Sequence, residues 1–115
     1  MSVIIYHNPR CSKSRETLAL LQKRGIEPVI IEYLKDPPNR KQLVDILAKL
    51  RLSPRELIRT KEAVYQDKKL DNKTLTRDQL ISAMLADPVL IERPIVLANG
   101  KAAIGRPPEN VLEIL

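Results

Sequence analysis

The chain is 115 residues long, 43% hydrophobic and 30% charged, a size and balance that fit one folded domain with its own core and no need of staples. Its 20 basic and 14 acidic residues give a net charge of +6, which favours an anionic partner. With no Trp, no Phe and three Tyr it lacks stacking platforms, and its arginines are scattered, so a small anion is expected rather than nucleic acid or a membrane.

Ser2 to Tyr6 reads as a short buried strand. The chain enters it with no basic leader, and no apolar run is long enough for a signal or a membrane span, so a cytoplasmic setting is expected. Asn8 and Pro9 break the strand, and a helix follows from about Ser12 to Arg24, with Leu18 and Leu21 on one face and Gly25 as its stop. Pro28 to Tyr33 is a second strand, which completes a βαβ unit with parallel strands.

Pro37-Pro38 closes that unit. Asn39 caps a helix carrying Leu43, Ile46, Leu47 and Leu50 at helical spacing. Ser53-Pro54-Arg55-Glu56 opens another, by cap, first-turn proline and a glutamate three residues on. Residues 60–75 read as loop with at most a short helix. Thr76-Arg77-Asp78-Gln79 is a further capping box, ahead of Leu80, Ile81, Met84 and Leu85. Ile95 to Ala98 is a strand, Asn99-Gly100 a hairpin turn, and Ala102 to Gly105 the antiparallel return. Pro107-Pro108 opens a terminal helix with Val111, Leu112 and Leu115. The order is βαβ, a helical stretch, then ββα. It predicts an α/β fold in a single domain over 1–115: a four-stranded mixed sheet flanked by helices, with a helical insertion at about 39–90.

One cysteine and one histidine leave no internal disulfide, no cysteine-rich zinc site and few ligands for any metal, so neither a metal nor a bound cofactor is expected. A lone cysteine is ordinarily a buried apolar residue. Cys11 departs from that by its place at a strand-to-helix turn, where unpaired N–H groups favour an anion. Arg10, Lys13 and Arg15 add positive charge, and no acid intervenes before Glu16. Both effects favour a thiolate, below the ordinary thiol value of about 8.5. The same N–H groups could cradle an oxyanion beside the sulfur. Ser14 stands where a Cys-x-x-Cys motif would put its second thiol; its hydroxyl can hydrogen-bond a thiolate but cannot close a disulfide. Ser12 reads as a cap. Thr17 occupies the sixth position after Cys11, so the phosphatase pattern Cys-x5-Arg is absent. His7 is a candidate for positioning or activating the thiolate, with a structural role at the strand end as the alternative.

The run Tyr6-His7-Asn8-Pro9-Arg10-Cys11-Ser12-Lys13-Ser14-Arg15 resembles the active-site signature of the glutaredoxin-dependent arsenate reductase family, His-Asn-Pro-x-Cys-x-x-Ser-Arg. The resemblance continues through Glu32-Tyr33-Leu34 with Pro37-Pro38, Glu56-Leu57-Ile58-Arg59, Ile91-Glu92-Arg93-Pro94-Ile95-Val96 and Gly105-Arg106-Pro107. Ser12-Lys13 differ from the Gly-Thr that follows the nucleophile in the best-characterised members. The resemblance implies a thioredoxin-like fold with a helical insertion, attack of Cys11 on arsenate, and an anion site of Arg59, Arg93 and Arg106. It also implies a cis peptide bond before Pro94. Planar guanidinium forks suit a tetrahedral oxyanion.

The leading expectation is therefore an oxidoreductase that reduces arsenate through a Cys11 adduct. Glutathione is the co-substrate and glutaredoxin takes the glutathione away as a mixed disulfide. A glutathione-dependent thiol/disulfide reductase using the same Cys11 is the first alternative. The second is a non-enzymatic regulator that binds RNA polymerase, against which Ser14 in place of a second cysteine speaks.

Overall fold

A computed structural model of the chain describes residues 2–115. The chain divides into two compact units: a sheet unit, running to Asp36 and resuming over Arg93–Leu115, and a helical unit, Pro37–Glu92.

In the sheet unit β1 (Ile4–His7) leads through α1 (Ser12–Lys23) to β2 (Val29–Glu32), and β3 (Ile95–Ala98) leads to β4 (Lys101–Ile104). The strand order is β2-β1-β3-β4. β1 and β2 are parallel, with Ile4 opposite Val29 and His7 opposite Glu32. β3 runs antiparallel to both β1 and β4. This is the thioredoxin-like mixed sheet that the sequence led us to expect.

Alternation along the strands selects one face for the core. Ile5 lies opposite Val96, and together with Ala98 they meet Leu21 of α1 and Val111 and Ile114 of the C-terminal segment. Each large aliphatic side chain buried there contributes about 1.5–3 kcal/mol. His7 lies two residues beyond Ile5 and so faces α1 as well. The hairpin turn is as expected, with Asn99 and Gly100 at φ 55° and 73°.

Two expectations shift. The first strand starts at Ile4 and ends at His7, since its register partners run from Val29 to Glu32. The terminal helix is not α but 3₁₀, over Pro108–Ile114. So short a segment gains few α-type bonds, and it tightens into i→i+3 bonding such as Asn110 N–H to Pro107 O at 3.0 Å.

The helical unit follows its caps. Asn39, Ser53 and Thr76 each form a reciprocal capping box, with Gln42, Glu56 and Gln79, at the starts of α2 (Arg40–Leu50), α3 (Pro54–Leu57) and α5 (Arg77–Ala86). A short α4 (Ala63–Asp67) lies in the stretch read as mostly loop. Leu43, Ile46, Leu47, Leu57, Leu80, Ile81, Met84 and Leu90 are buried. Among the described residues no helix is long and apolar enough to cross a membrane.

Candidate active site

The β1–α1 turn is shaped by its own residues. Pro9 presets the turn, and Asn8 accepts twice: its carbonyl from Cys11 N–H and its Oδ1 from Arg10 N–H, both at 3.0 Å. Arg15 reaches back to donate to the Pro9 carbonyl at 3.0 Å. Cys11 is thereby set at the N-cap of α1, only 8% exposed. A capping Ser or Asp would accept a close bond there; the larger sulfur makes none, but the N–H groups of Ser14 and Lys13 still act on it as aligned dipoles.

Burial by itself pushes the Cys11 thiol up. The Ser14 N–H, the hydrogen bond and charge of the Arg93 guanidinium, and the Lys13 N–H outweigh it, and the thiol sits below its ordinary value. The direction is the expected one, but the formal charge comes from elsewhere. The Lys13 ammonium pairs with Glu16 at 3.4 Å, and Arg15 is engaged with the Pro9 carbonyl. The cation that acts on the sulfur, Arg93, is distant in sequence.

Arg106 joins it. Its Nη2 lies 3.4 Å from Cys11 Sγ, and its Nε donates to the Arg93 carbonyl at 2.8 Å. The peptide bonds Arg93–Pro94 and Arg106–Pro107 are both cis; only the first was expected. Gly105 explains how this segment comes so close to α1. A Cβ there would lie 2.3 Å from Thr17 Oγ1 and 2.8 Å from Pro94 Cγ. Thr17 is fully buried, and its hydroxyl donates to the Lys13 carbonyl at 2.8 Å. The helix position that would carry arginine in a Cys-x5-Arg loop thus holds a small residue, against which Gly105 seats the neighbouring Arg106.

Ser14 differs from expectation. Its Oγ lies 2.6 Å from His7 Nδ1 and accepts the Asn8 N–H at 3.0 Å. The hydroxyl is thus paired with the imidazole, and Ser14 acts on the sulfur through its backbone N–H. Burial holds His7 below its ordinary value, with Glu32 opposing and Arg15 reinforcing that shift. A neutral imidazole accepting from Ser14 fits both observations. His7 therefore positions the first turn of α1.

Arg59 belongs to the helical unit. Its Nη1 donates to Glu92 Oε1 at 2.8 Å, and Glu62 lies 3.6 Å from its Nε. The structure thus brings Arg93 and Arg106 to Cys11, and gives Arg59 two carboxylates as partners. Sequence reasoning gave no structural role to Thr17, Gly105 or Glu32. Thr17 lies three residues beyond Ser14, on the same face of α1, which was a signal for it; the other two depend on strand register.

Residues 6–114 match the model of the ArsC family. The chain is 55% identical over 114 residues to the uncharacterized protein YfgD of Escherichia coli (strain K12), covering 98% of this chain and 96% of that one. It is 53% identical over 116 residues to an arsenate reductase of Haemophilus influenzae, covering 100% of both. The solved structure of an arsenate reductase from Vibrio cholerae superposes with a TM-score of 0.97 at 52% identity, over 100% of this chain and 98% of that chain. With its fold, its signature turn and this likeness over its whole length, the chain belongs to the ArsC family.

Proposed function

We propose that this protein reduces arsenate to arsenite in the cytoplasm, with Cys11 as nucleophile. The thiolate attacks arsenic, and a hydroxide leaves as water once protonated. Arg93 and Arg106 hold the oxygens and offset the charge that develops on them; the family resemblance assigns Arg59 as the third arginine. One arsenate and two thiols then give arsenite, one disulfide and one water. This chain holds a single cysteine, so both thiols come from outside. Glutathione supplies one and joins the arsenic adduct; glutaredoxin supplies the other and leaves in mixed disulfide with glutathione. No bound cofactor enters the cycle.

The observation that carries this reading is the Arg106 guanidinium at 3.4 Å from the sulfur of a buried thiol whose pKa is lowered. Nucleophile and anion receptor meet at one point. Two relatives at more than half identity carry the name arsenate reductase, which supports the substrate.

The test is NADPH consumption in a mixture of arsenate, glutathione, glutathione reductase and glutaredoxin, with arsenate, glutathione and glutaredoxin omitted in turn. Turnover should need all three, and Cys11→Ser should abolish it. Sustained turnover with thioredoxin alone contradicts the thiol route. Equal consumption of a small disulfide without arsenate would make the protein a disulfide reductase.

A further inference from the structure

The two external thiols need somewhere to dock, and among the described residues two hollows of the sheet unit flank the Cys11 turn. One, of about 360 Å³, is lined by Lys13, Glu16, Leu20, Pro107, Pro108 and Glu109. Its lysine is already paired with Glu16, and Glu109 leaves it one negative charge in excess. The other, of about 250 Å³, lies between the loop that follows β1 and the turn that follows β2, with Asn8, Pro9 and Arg10 on one side and Glu32, Leu34 and Lys35 on the other. Two cations and one carboxylate line it.

The second hollow is set by register. His7 and Glu32 are the last paired residues of two parallel strands, so both loops leave the sheet at the same end. Crevices outside the carboxyl ends of parallel strands are recurrent ligand sites in open α/β sheets. The β2 turn is fixed by the Lys35 and Asp36 N–H groups, both donating to the Glu32 carbonyl at 2.9 Å. The turn leaves Leu34 46% exposed, the large apolar side chain of the hollow. Lys35 lies 3.8 Å from Glu32 with its side chain 82% exposed, a loose pair that an incoming ion can rearrange at little cost. On the opposite wall, Arg10 is joined directly to Cys11.

We propose that this hollow is the docking site for the tripeptide thiol, which rests on the reading of glutathione as co-substrate given above. Glutathione at neutral pH carries two carboxylates and one ammonium. Arg10 and Lys35 match the carboxylates and Glu32 matches the ammonium, while Leu34 and Pro9 cover the peptide's carbon atoms. The net charge of these groups, +1, neutralises the ligand's −1. The 360 Å³ hollow, with its excess negative charge, repels it. The docked peptide approaches Cys11 along the 8–10 turn, through a mouth formed by Arg10, Glu32 and Lys35.

The test is a titration of the nitrogen-15-labelled, reduced protein with S-methylglutathione, whose capped sulfur prevents any reaction, followed by amide NMR. Millimolar binding is expected, with shifts at Asn8, Arg10, Leu34 and Lys35. Lys35→Glu should weaken it about tenfold, and esterifying both ligand carboxylates should do the same on the unaltered protein. Shifts confined to Lys13, Glu16 and Glu109, wild-type affinity in Lys35→Glu, or no shifts at tens of millimolar peptide would each overturn the site. The assay of the preceding subsection separates this from the functional reading. Binding in the hollow without arsenate turnover keeps the site and ends the arsenate reading; arsenate turnover without binding there does the reverse.

Discussion

The helical unit and the sheet unit use their cations differently. In the helical unit the charges answer one another. Arg59 faces Glu92 and Glu62, Lys49 faces Asp45 at 3.0 Å, and Arg40 faces Asp78 at 3.6 Å. The more open Lys49–Asp45 and Arg40–Asp78 pairs are worth about 0–1 kcal/mol, so they fix local geometry more than they stabilise. In the sheet unit Arg93 and Arg106 are brought to a thiol, and Arg93 favours its deprotonated form. These helical-unit pairs hold local structure, whereas Arg93 and Arg106 meet a reactive atom, so substitutions at the two kinds of place should separate stability from chemistry.

Among substitutions that leave the nucleophile in place, the largest effect should come from Arg106→Lys. Lysine keeps the charge but loses the fork that reaches Cys11 and the Arg93 carbonyl together. Arsenate kcat/KM should fall about 10²-fold, as for loss of one preorganised donor. Melting temperature should move little. A rate within a few-fold of wild type would remove Arg106 from the site.

Gly105→Ala should come next, and it should disturb both properties. Its methyl meets the buried Thr17 hydroxyl and the Pro94 ring, at a cost of about 1–3 kcal/mol. The same displacement moves Arg106 away from Cys11. Denaturant unfolding and arsenate kinetics on one preparation check both, and an unchanged midpoint would contradict the packing described.

Asn39→Ala should do the opposite. It removes the α2 cap, which accepts Gln42 N–H at 2.8 Å, for about 1 kcal/mol of stability. The reactivity of Cys11 towards iodoacetamide should be unaltered, because the cap acts only on the helical unit. A shifted reactivity profile would mean that the two units do not divide the work in this way.

The smallest effect concerns His7. Burial lowers its native pKa, so on acidification the unfolded chain takes up the proton first, below about 6.5. Its contribution to stability is fully present above that pH and is lost as pH falls towards the native value. Glu32 works against the shift and Arg15 with it. His7→Gln should flatten the fall in melting temperature between neutral and mildly acidic pH. An equally steep fall would show that His7 is not the group responsible.

The same division decides what the sequence made legible. Every α-helix start in the helical unit that carries a capping box could be read locally, since Asn39, Ser53 and Thr76 each signal within three residues. Asn99-Gly100 announced its hairpin for the same reason. The site was only half legible. Cys11 at the head of a helix could be read from its neighbours, whereas Arg93 and Arg106 were named from the resemblance, because only the folded sheet brings them to residue 11. The hydroxyl of Ser14 was expected on the sulfur; strand alternation puts His7 on the α1 face, and the imidazole takes the bond instead. Sequence adjacency also misassigned the charge on the thiolate, because Lys13 is paired with Glu16 in its own helix turn.

The central claim is that the sheet unit holds Cys11 as a thiolate poised for an oxyanion. The most direct measurement is the rate of Cys11 alkylation by iodoacetamide against pH, with and without arsenate. The account predicts one inflection below about 8.5, moved upward in Arg93→Ala, and slower alkylation when arsenate occupies the site. An inflection at or above that value, unmoved by Arg93→Ala and indifferent to arsenate, would contradict it.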